Sequence, residues 1–315
     1  MPLVIHFLNV GRGDCTVIEF PSGNLTMVDI DNLRSFDPTT RSEVLEEIRK
    51  AAGVLAPIVE KRRLAEQEAK LADPFQFLDD RFGKDAHIFR LIITHPDMDH
   101  MTGITRLVDE RVIGNFWHSG SHDFNLETWK ADEGPYDIAD WETYKQLRKS
   151  KTNPRALVNR AKDTGEYWTD DGIKLWAPTD ELVDLAVERE MANIVSMVLR
   201  VKYKGRAIVL GGDATADESW PAIMETINVR HVSVLKASHH GRKTGYHRAA
   251  VKAMSPWLTV TSVAQAEYDA TESYRRYSTH TVSLRDSGDI QITISDDGVL
   301  HYPSDIEKVW KDKTT

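Results

Sequence analysis

The chain has 315 residues, 41% hydrophobic and 28% charged, with a formal net charge of −9. This composition supports a substantial folded core and excludes a disordered or fibrous protein. No stretch approaches the roughly 20 apolar residues of a membrane span, and the acidic balance argues against indiscriminate nucleic-acid binding. Cys15 is the sole cysteine, so it has no internal disulfide partner, an all-cysteine zinc site is excluded, and a reducing cytoplasm is the expected location.

Taken in chain order, "MPLVIHFLNV" lacks a basic start and a small-residue cleavage site, and reads as a first strand rather than a signal peptide. "LVIHFLN" and "CTVIEF" flank the turn-like "VGRGD", and "LTMVDI" gives a third strand. From Ser42 to Leu71, acids and bases recur at spacings of three and four. That predicts a mainly helical insertion within 32–86, interrupted near Pro57 and suited to structural or partner-binding work. "IFRLIIT" suits a buried strand, "GITRLVDER" a helix and "VIGNFWHS" a strand. Residues 119–165 show no clean period and read as an irregular insertion over one edge.

A second series opens with predicted strands "EYWTD", "IKLWAP", "SMVLRVKYK" and "RAIVLGGD". It continues with a helix "DESWPAIMETI", a strand "HVSVLKAS" and a helix from about His247 to Met254. "WLTVTSV" and the hairpin "DIQITISDDGVLHYP" complete it. Two similar blocks of alternating strands and helices predict an α/β protein, with two β-sheets packed together and helices outside. Residues 1–315 are read as a single domain.

"LIITHPDMDHMTG" places His95, Asp97, Asp99 and His100 within six positions, directly after an apolar strand. Four such side chains crowded at a sheet edge would repel or go unsatisfied unless a cation gathered them. Imidazoles mixed with carboxylates suit Zn²⁺, Mn²⁺ or Fe²⁺. Asp213 after "IVLGG", His239 and His240 after "VLKAS", and His280 in "YSTHT" repeat the same form. Singly, Asp213 reads as a helix cap and a histidine as structural. Together, strand-end sites of one chemistry point to a shared metal centre.

Two segments are free of acids. Residues 145–162 carry seven Lys/Arg, and residues 231–248 surround the double histidine. Each reads either as solvated surface or as a phosphate-binding face. In the second, Arg242, Lys243 and Arg248 are the candidate substrate contacts.

The motif set resembles the metallo-β-lactamase fold superfamily, whose signature is H-x-H-x-D-H followed by distant His, Asp and His ligands. Here Asp97 stands at the second histidine. This H-x-D-x-D-H variant resembles the metallohydrolase domain of the DNA-uptake competence protein ComEC. "FLNVGRGDCTVI", "MVDI", "NIVSMVLRV", "LGGDAT" and "LKASHHGRKTG" carry the likeness over residues 1–30, 87–118 and 166–302. It omits the helical insertion, and nothing corresponds to that protein's membrane channel.

The resemblance implies an αββα sandwich of two mixed sheets. It implies two divalent ions (Mn²⁺, Zn²⁺ or Mg²⁺), one on His95 and Asp97, the other on Asp99 and His100, with Asp213 between them. His240 would complete the second site, with His239 behind it or at the substrate. Asn193 stands near the usual third histidine. A neutral amide there makes a more open site, favouring Mn²⁺ or Mg²⁺ over Zn²⁺. His239 and His280 are leaving-group proton donors by residue type. Asp29 is a candidate partner of a ligating histidine, and Asp14 is either another or a brace for the "GRGD" turn.

The leading functional expectation is a metal-dependent phosphodiesterase, most specifically a nuclease on DNA or RNA. The alternatives are a hydrolase of a small phosphodiester (a cyclic nucleotide or phosphocholine ester) or a lactone, and a partner-binding module active only in a complex.

Overall fold

The computed structural model describes residues 1–36, 38–120, 136–163, 166–262 and 269–303. In chain order the first block has β1 (Leu3–Phe7), β2 (Thr16–Glu19), β3 (Leu25–Val28) and β4 (Ile30–Asp31). Helices α1 (Pro38–Ala52), α2 (Ala56–Glu68) and α3 (Pro74–Phe82) follow. Next come β5 (Ile88–Ile92), β6 (Met101–Thr102), α4 (Ile104–Glu110), β7 (Ile113–His118), α5 (Ile138–Leu147) and β8 (Arg155–Val158).

The second block starts with α6 (Glu166–Asp170), β9 (Ile173–Ala177), α7 (Asp180–Arg189), β10 (Val198–Tyr203) and β11 (Arg206–Leu210). It continues through α8 (Ser219–Thr226), β12 (Val234–Lys236), α9 (Arg248–Met254), β13 (Leu258–Thr261), α10 (Thr271–Arg275) and β14 (His280–Ser283). It ends with α11 (Leu284–Ser287), β15 (Ile290–Ile294) and β16 (Leu300–His301).

Among the described residues the strands form an eight-stranded sheet, β16-β15-β1-β2-β3-β5-β7-β8, a six-stranded sheet, β14-β13-β12-β11-β10-β9, and a parallel pair, β4-β6. The two large sheets are mixed. β3, β5, β7 and β8 run parallel, as do β11 to β14, while the remaining neighbours pair antiparallel. Ile5, Phe7, Ile92 and Trp117 of the first sheet meet Leu199, Ile208, Val234 and Val260 of the second in one buried cluster. Phe75, Leu107 and Tyr144 cover the outer face of the first sheet, and Leu182, Trp220 and Val251 that of the second. The result is the expected αββα sandwich. Its two halves share a buried ion pair, Arg90 on β5 with Asp171 ahead of β9, at 2.5 Å. No helix among the described residues is long and apolar enough to cross a membrane.

Three local expectations are corrected. "EYWTD" forms helix α6, not a strand; Trp168 packs on Trp117 with ring centroids 4.4 Å apart, so tertiary contact overrides its β-prone residues. Residues 119–165 are not wholly irregular, since they include α5 and the parallel edge strand β8; 121–135 and 164–165 lie outside the described residues. The break in the insertion falls at the 3₁₀ turn Gly53–Leu55, ahead of Pro57. A proline is tolerated in the first turn of a helix, so Pro57 opens α2 instead of ending α1.

Candidate metal centre

Parallel strands bring their C-terminal ends to one edge of the sandwich, and three of the four expected strand-end sites stand there. After β5, Thr94 and His95 lead into a 3₁₀ turn, Met98–His100, capped by the Asp97 carboxylate, which accepts the Met98 N–H at 2.8 Å. Buried Met98 and Met101 anchor the turn in the core beneath the outer helices. His95, Asp99 and His100 are thereby buried and turned towards the second sheet.

After β11, Gly211 and Gly212 make a turn that admits no side chain. A Cβ on either would stand 2.3 Å from Ser238 Oγ or Ser196 Oγ, and Gly212 has φ +46°. Asp213 emerges with its N–H donating to Ser196 Oγ at 2.7 Å and its Oδ2 accepting from Asn193 Nδ2 at 3.2 Å. After β12, His239 and His240 both adopt left-handed backbone (φ 50° and 59°). Such strain costs on the order of 1–3 kcal/mol per residue and persists where surrounding structure fixes it. Here the His239 N–H donates to Gly212 O at 2.8 Å, which ties the two loops together.

The imidazoles are held from behind. His100 Nδ1 lies 2.9 Å from Asp29 Oδ2, His240 Nδ1 3.3 Å from Asp14 Oδ1, His95 Nδ1 3.2 Å from Thr94 Oγ1 and His239 Nδ1 2.7 Å from Thr244 Oγ1. Their Nε2 atoms all face Asp213, at 3.8 Å for His95, 3.2 Å for His100, 3.7 Å for His239 and 3.4 Å for His240. Asp99 adds a carboxylate 3.2 Å from His240 Nε2. Nε2 of His95, His100 and His240 and Oδ1 of Asp213 are buried and make no hydrogen bond. Buried polar atoms of this kind are ordinarily paired. Two ligands each about 2.1 Å from one ion stand about 3.0–3.4 Å apart, which brackets the shorter separations here. The donor set therefore fits divalent metal. Three close groups occur: His95, His100 and Asp213; Asp99, His100 and His240; Asp14, Asp213 and His240.

The electrostatics express the same crowding. Burial opposes charge on Asp213, but the imidazoles of His240, His100 and His239 outweigh it and hold the carboxyl well below its ordinary range. Burial likewise opposes charge on His100 and His240, yet Asp213 with Asp29 or Asp14 raises both. His95 is pushed down to about 3 by burial and by His100. Asp97 is raised to about 6 and Asp31 to about 8, each by burial first and then by Asp99.

Some expected residues stand elsewhere. Asp97 is turned to its capping role and belongs to none of the three close groups. His280 begins β14 opposite Leu258, whereas the cluster stands where β13 ends. It is therefore at the far end of the sheet, edge-on to Trp257 at 4.8 Å, and is no proton donor to this centre. Arg242 is buried and pairs with Glu43 of α1 at 3.3 Å, so the structure does not present it as a substrate contact. Lys243 is exposed beside it, and exposed Arg248 donates to Tyr277 at 2.8 Å.

Other residues escaped sequence reasoning. Lys236 reaches Asp14 at 2.6 Å and Ser262 at 2.8 Å; its only signal was a lysine inside an apolar strand. Arg12 Nε lies 3.6 Å from Asp99 Oδ2 at the rim. Gly13 presses its turn onto this loop, since a Cβ there would stand 2.2 Å from Asp99 O.

No protein-family model matches this chain, and no curated protein matches it. Solved structures do. It is similar to the metallo-β-lactamase fold protein YhfI from Bacillus subtilis, with 10% identity and TM-score 0.46 over 95% of this chain and 99% of that one. It is similar to Igni18, a metallo hydrolase from the archaeon Ignicoccus hospitalis, with 11% identity and TM-score 0.46 over 87% and 89% of the two chains. It is also similar to CmlA, a diiron β-hydroxylase from Streptomyces venezuelae, with 11% identity and TM-score 0.46 over 89% of this chain and 52% of that one.

Proposed function

We propose that this chain is a metal-dependent hydrolase of phosphodiester bonds that works with two divalent ions. The observation that carries the reading is the convergence of three buried imidazole Nε2 atoms and Asp213 Oδ1, none hydrogen-bonded, on one point between the sheets. His95, Asp99, His100, Asp213 and His240 would hold the ions, with Asp213 serving both, and Asp97, whose cap uses Oδ1, would still have Oδ2 to offer. Divalent ions in such a cluster supply Lewis acidity and a water of lowered pKa.

The chain's own residues do the rest. Asp29 and Asp14 fix the tautomers of His100 and His240 by accepting at Nδ1. His239, 20% exposed and with Nδ1 held by Thr244, would hand a proton to a leaving oxygen. Arg12, at the same rim, can offset negative charge on a bound phosphoryl group.

Within this class we favour a nuclease, on the likeness of the motifs to the ComEC metallohydrolase domain and the exposed Lys243 and Arg248. One observation favours the small-phosphodiester or lactone alternative. Arg242 and Lys236 are taken up by Glu43 and Asp14, so the acid-free segment around the double histidine offers fewer cations to a polymer than its sequence suggests. A protein partner is also proposed for the α1–α2 hairpin, whose tip exposes Val54, Leu55 and Ile58. The test is incubation of pure protein with labelled single- and double-stranded DNA and RNA, and with bis-p-nitrophenyl phosphate, under Mn²⁺, Mg²⁺ and Zn²⁺ in turn. Polymer cleavage supports the nuclease, turnover of the small ester alone supports the alternative, and no turnover of either under any metal contradicts the hydrolase.

A further inference from the structure

Lys236 closes β12, a strand with hydrogen-bonded neighbours on both sides, and its side chain is 3% exposed. Burying an ammonium costs several kcal/mol unless it is paired and hydrogen-bonded, and an apolar side chain would serve the strand equally well. The partners explain the charge. Lys236 Nζ donates to Asp14 Oδ1 at 2.6 Å and to Ser262 Oγ at 2.8 Å, and Ser262 Oγ donates to the same Asp14 oxygen at 2.7 Å. That oxygen is also the one 3.3 Å from His240 Nδ1. Three strand-end residues from β12 and β13 and the turn after β1 thus meet at one carboxylate oxygen behind one imidazole.

The other supported histidine is built differently. Asp29, behind His100, takes the Thr94 N–H at 2.7 Å and the Thr94 hydroxyl at 2.9 Å, both neutral donors. The two imidazoles are therefore braced unequally from behind. One carboxylate is held by neutral donors and the other by a buried ammonium.

We propose that Lys236 is a positioning residue of the metal centre: with Ser262 it fixes Asp14 behind His240, and so governs the ion that His240 and Asp99 would share, without governing the ion nearest His95. The proposal rests on the two-ion reading above. It makes Lys236, Asp14 and His240 a single line of action, with Lys236 acting only through Asp14.

The experiment is calorimetric titration of the metal-free protein with Mn²⁺, for wild type, Lys236→Met, Asp14→Asn and the double variant, with circular dichroism as the control for folding. Wild type should take up two ions. Lys236→Met should weaken one of them by about 10–100-fold, the usual effect of removing support behind a ligand, and leave the other within about twofold. Asp14→Asn should do the same, and the double variant should be no worse than Asp14→Asn alone. Ser262→Ala, which removes one donor without a buried charge, should give a smaller loss at the same ion and serves if Lys236→Met does not fold. Equal weakening of both ions, unchanged or tighter binding, or additive losses in the double variant would overturn the role of Lys236. Wild type that takes up no ion, or one, would overturn the two-ion reading itself, a result distinct from any of these.

Discussion

Asp29 Oδ2 lies 2.9 Å from His100 Nδ1, and the same carboxyl group accepts both the backbone N–H and the hydroxyl of Thr94. Asp29 reaches this position through left-handed backbone at φ 57°, between β3 and β4. With a metal bound, the arrangement would leave His100 Nε2 as the ligating nitrogen beside Asp213. An asparagine keeps the shape but loses the charge that fixes this tautomer. Asp29→Asn should weaken metal binding by about 10–100-fold, with unchanged circular dichroism. Calorimetry checks it, and wild-type affinity would remove Asp29 from the account.

Asp99 is buried, its carboxylate 3.2 Å from His240 Nε2 and 3.6 Å from Arg12 Nε. Asp99→Ala should reduce hydrolysis to background while the thermal melt of the metal-free protein stays cooperative. Removing the Asp99 carboxylate takes a partner from His240 and His100 but relieves like charge on Asp97 and Asp213. Turnover close to wild type would count against Asp99 as a ligand.

Arg242 and Glu43 tie the loop after the double histidine to α1 of the helical insertion. Arg285 and Glu47, one turn further along α1, repeat the tie at 2.6 Å. A double-mutant cycle of Arg242→Ala and Glu43→Ala, read by urea unfolding, should give a coupling of about 0.5–3 kcal/mol. Lys243→Ala, at an exposed position, should cost less stability than Arg242→Ala. If a nucleic acid is bound there, it should reduce the log–log salt slope of binding by about one unit. Zero coupling would return Arg242 to the candidate substrate contacts.

The strand-end rule made much of this site legible. His95, Asp99, His100, Asp213 and His240 each follow an apolar run, and parallel strands send those ends to one edge. The rule failed at His280 because a histidine beside a strand does not declare which end it occupies; it begins β14 and lies at the far edge. Asp97 has a further role that the ligand pattern hides, since a carboxylate one residue ahead of a 3₁₀ turn is also its natural cap. Lys236 was missed because its carboxylate partner Asp14 lies 222 positions away along the chain, a pairing set by packing of the two sheets. The same holds for Arg242, which reads as a surface cation until α1 is folded over it. The two halves of the sandwich were visible in the alternation of strands and helices, whereas the short aromatic segment of α6 carried no period long enough to decide between helix and strand.

His6 offers a pH test away from the metal centre. Burial lowers its pKa below the ordinary 6.5, a loss that hydrogen bonding to Glu19 only partly restores. Between the folded value and 6.5 the unfolded chain holds more protons than the native one, so stability rises with pH across that window. On acidification the wild type should therefore lose stability from pH 6.5 downwards. His6→Gln should lose less over the same range, as read by melting temperature at pH 7.5 and 5.5. Parallel curves for the two proteins would show that His6 is not the group responsible.

The central claim is that the buried imidazoles and carboxylates between the sheets form a metal centre. A crystal structure of protein soaked in Mn²⁺, with anomalous scattering measured at the manganese edge, tests it most directly. The account predicts two anomalous peaks among His95, Asp99, His100, Asp213 and His240, with Asp213 in contact with both. Density for ordered water alone at that position, or manganese bound only elsewhere on the protein, would contradict it.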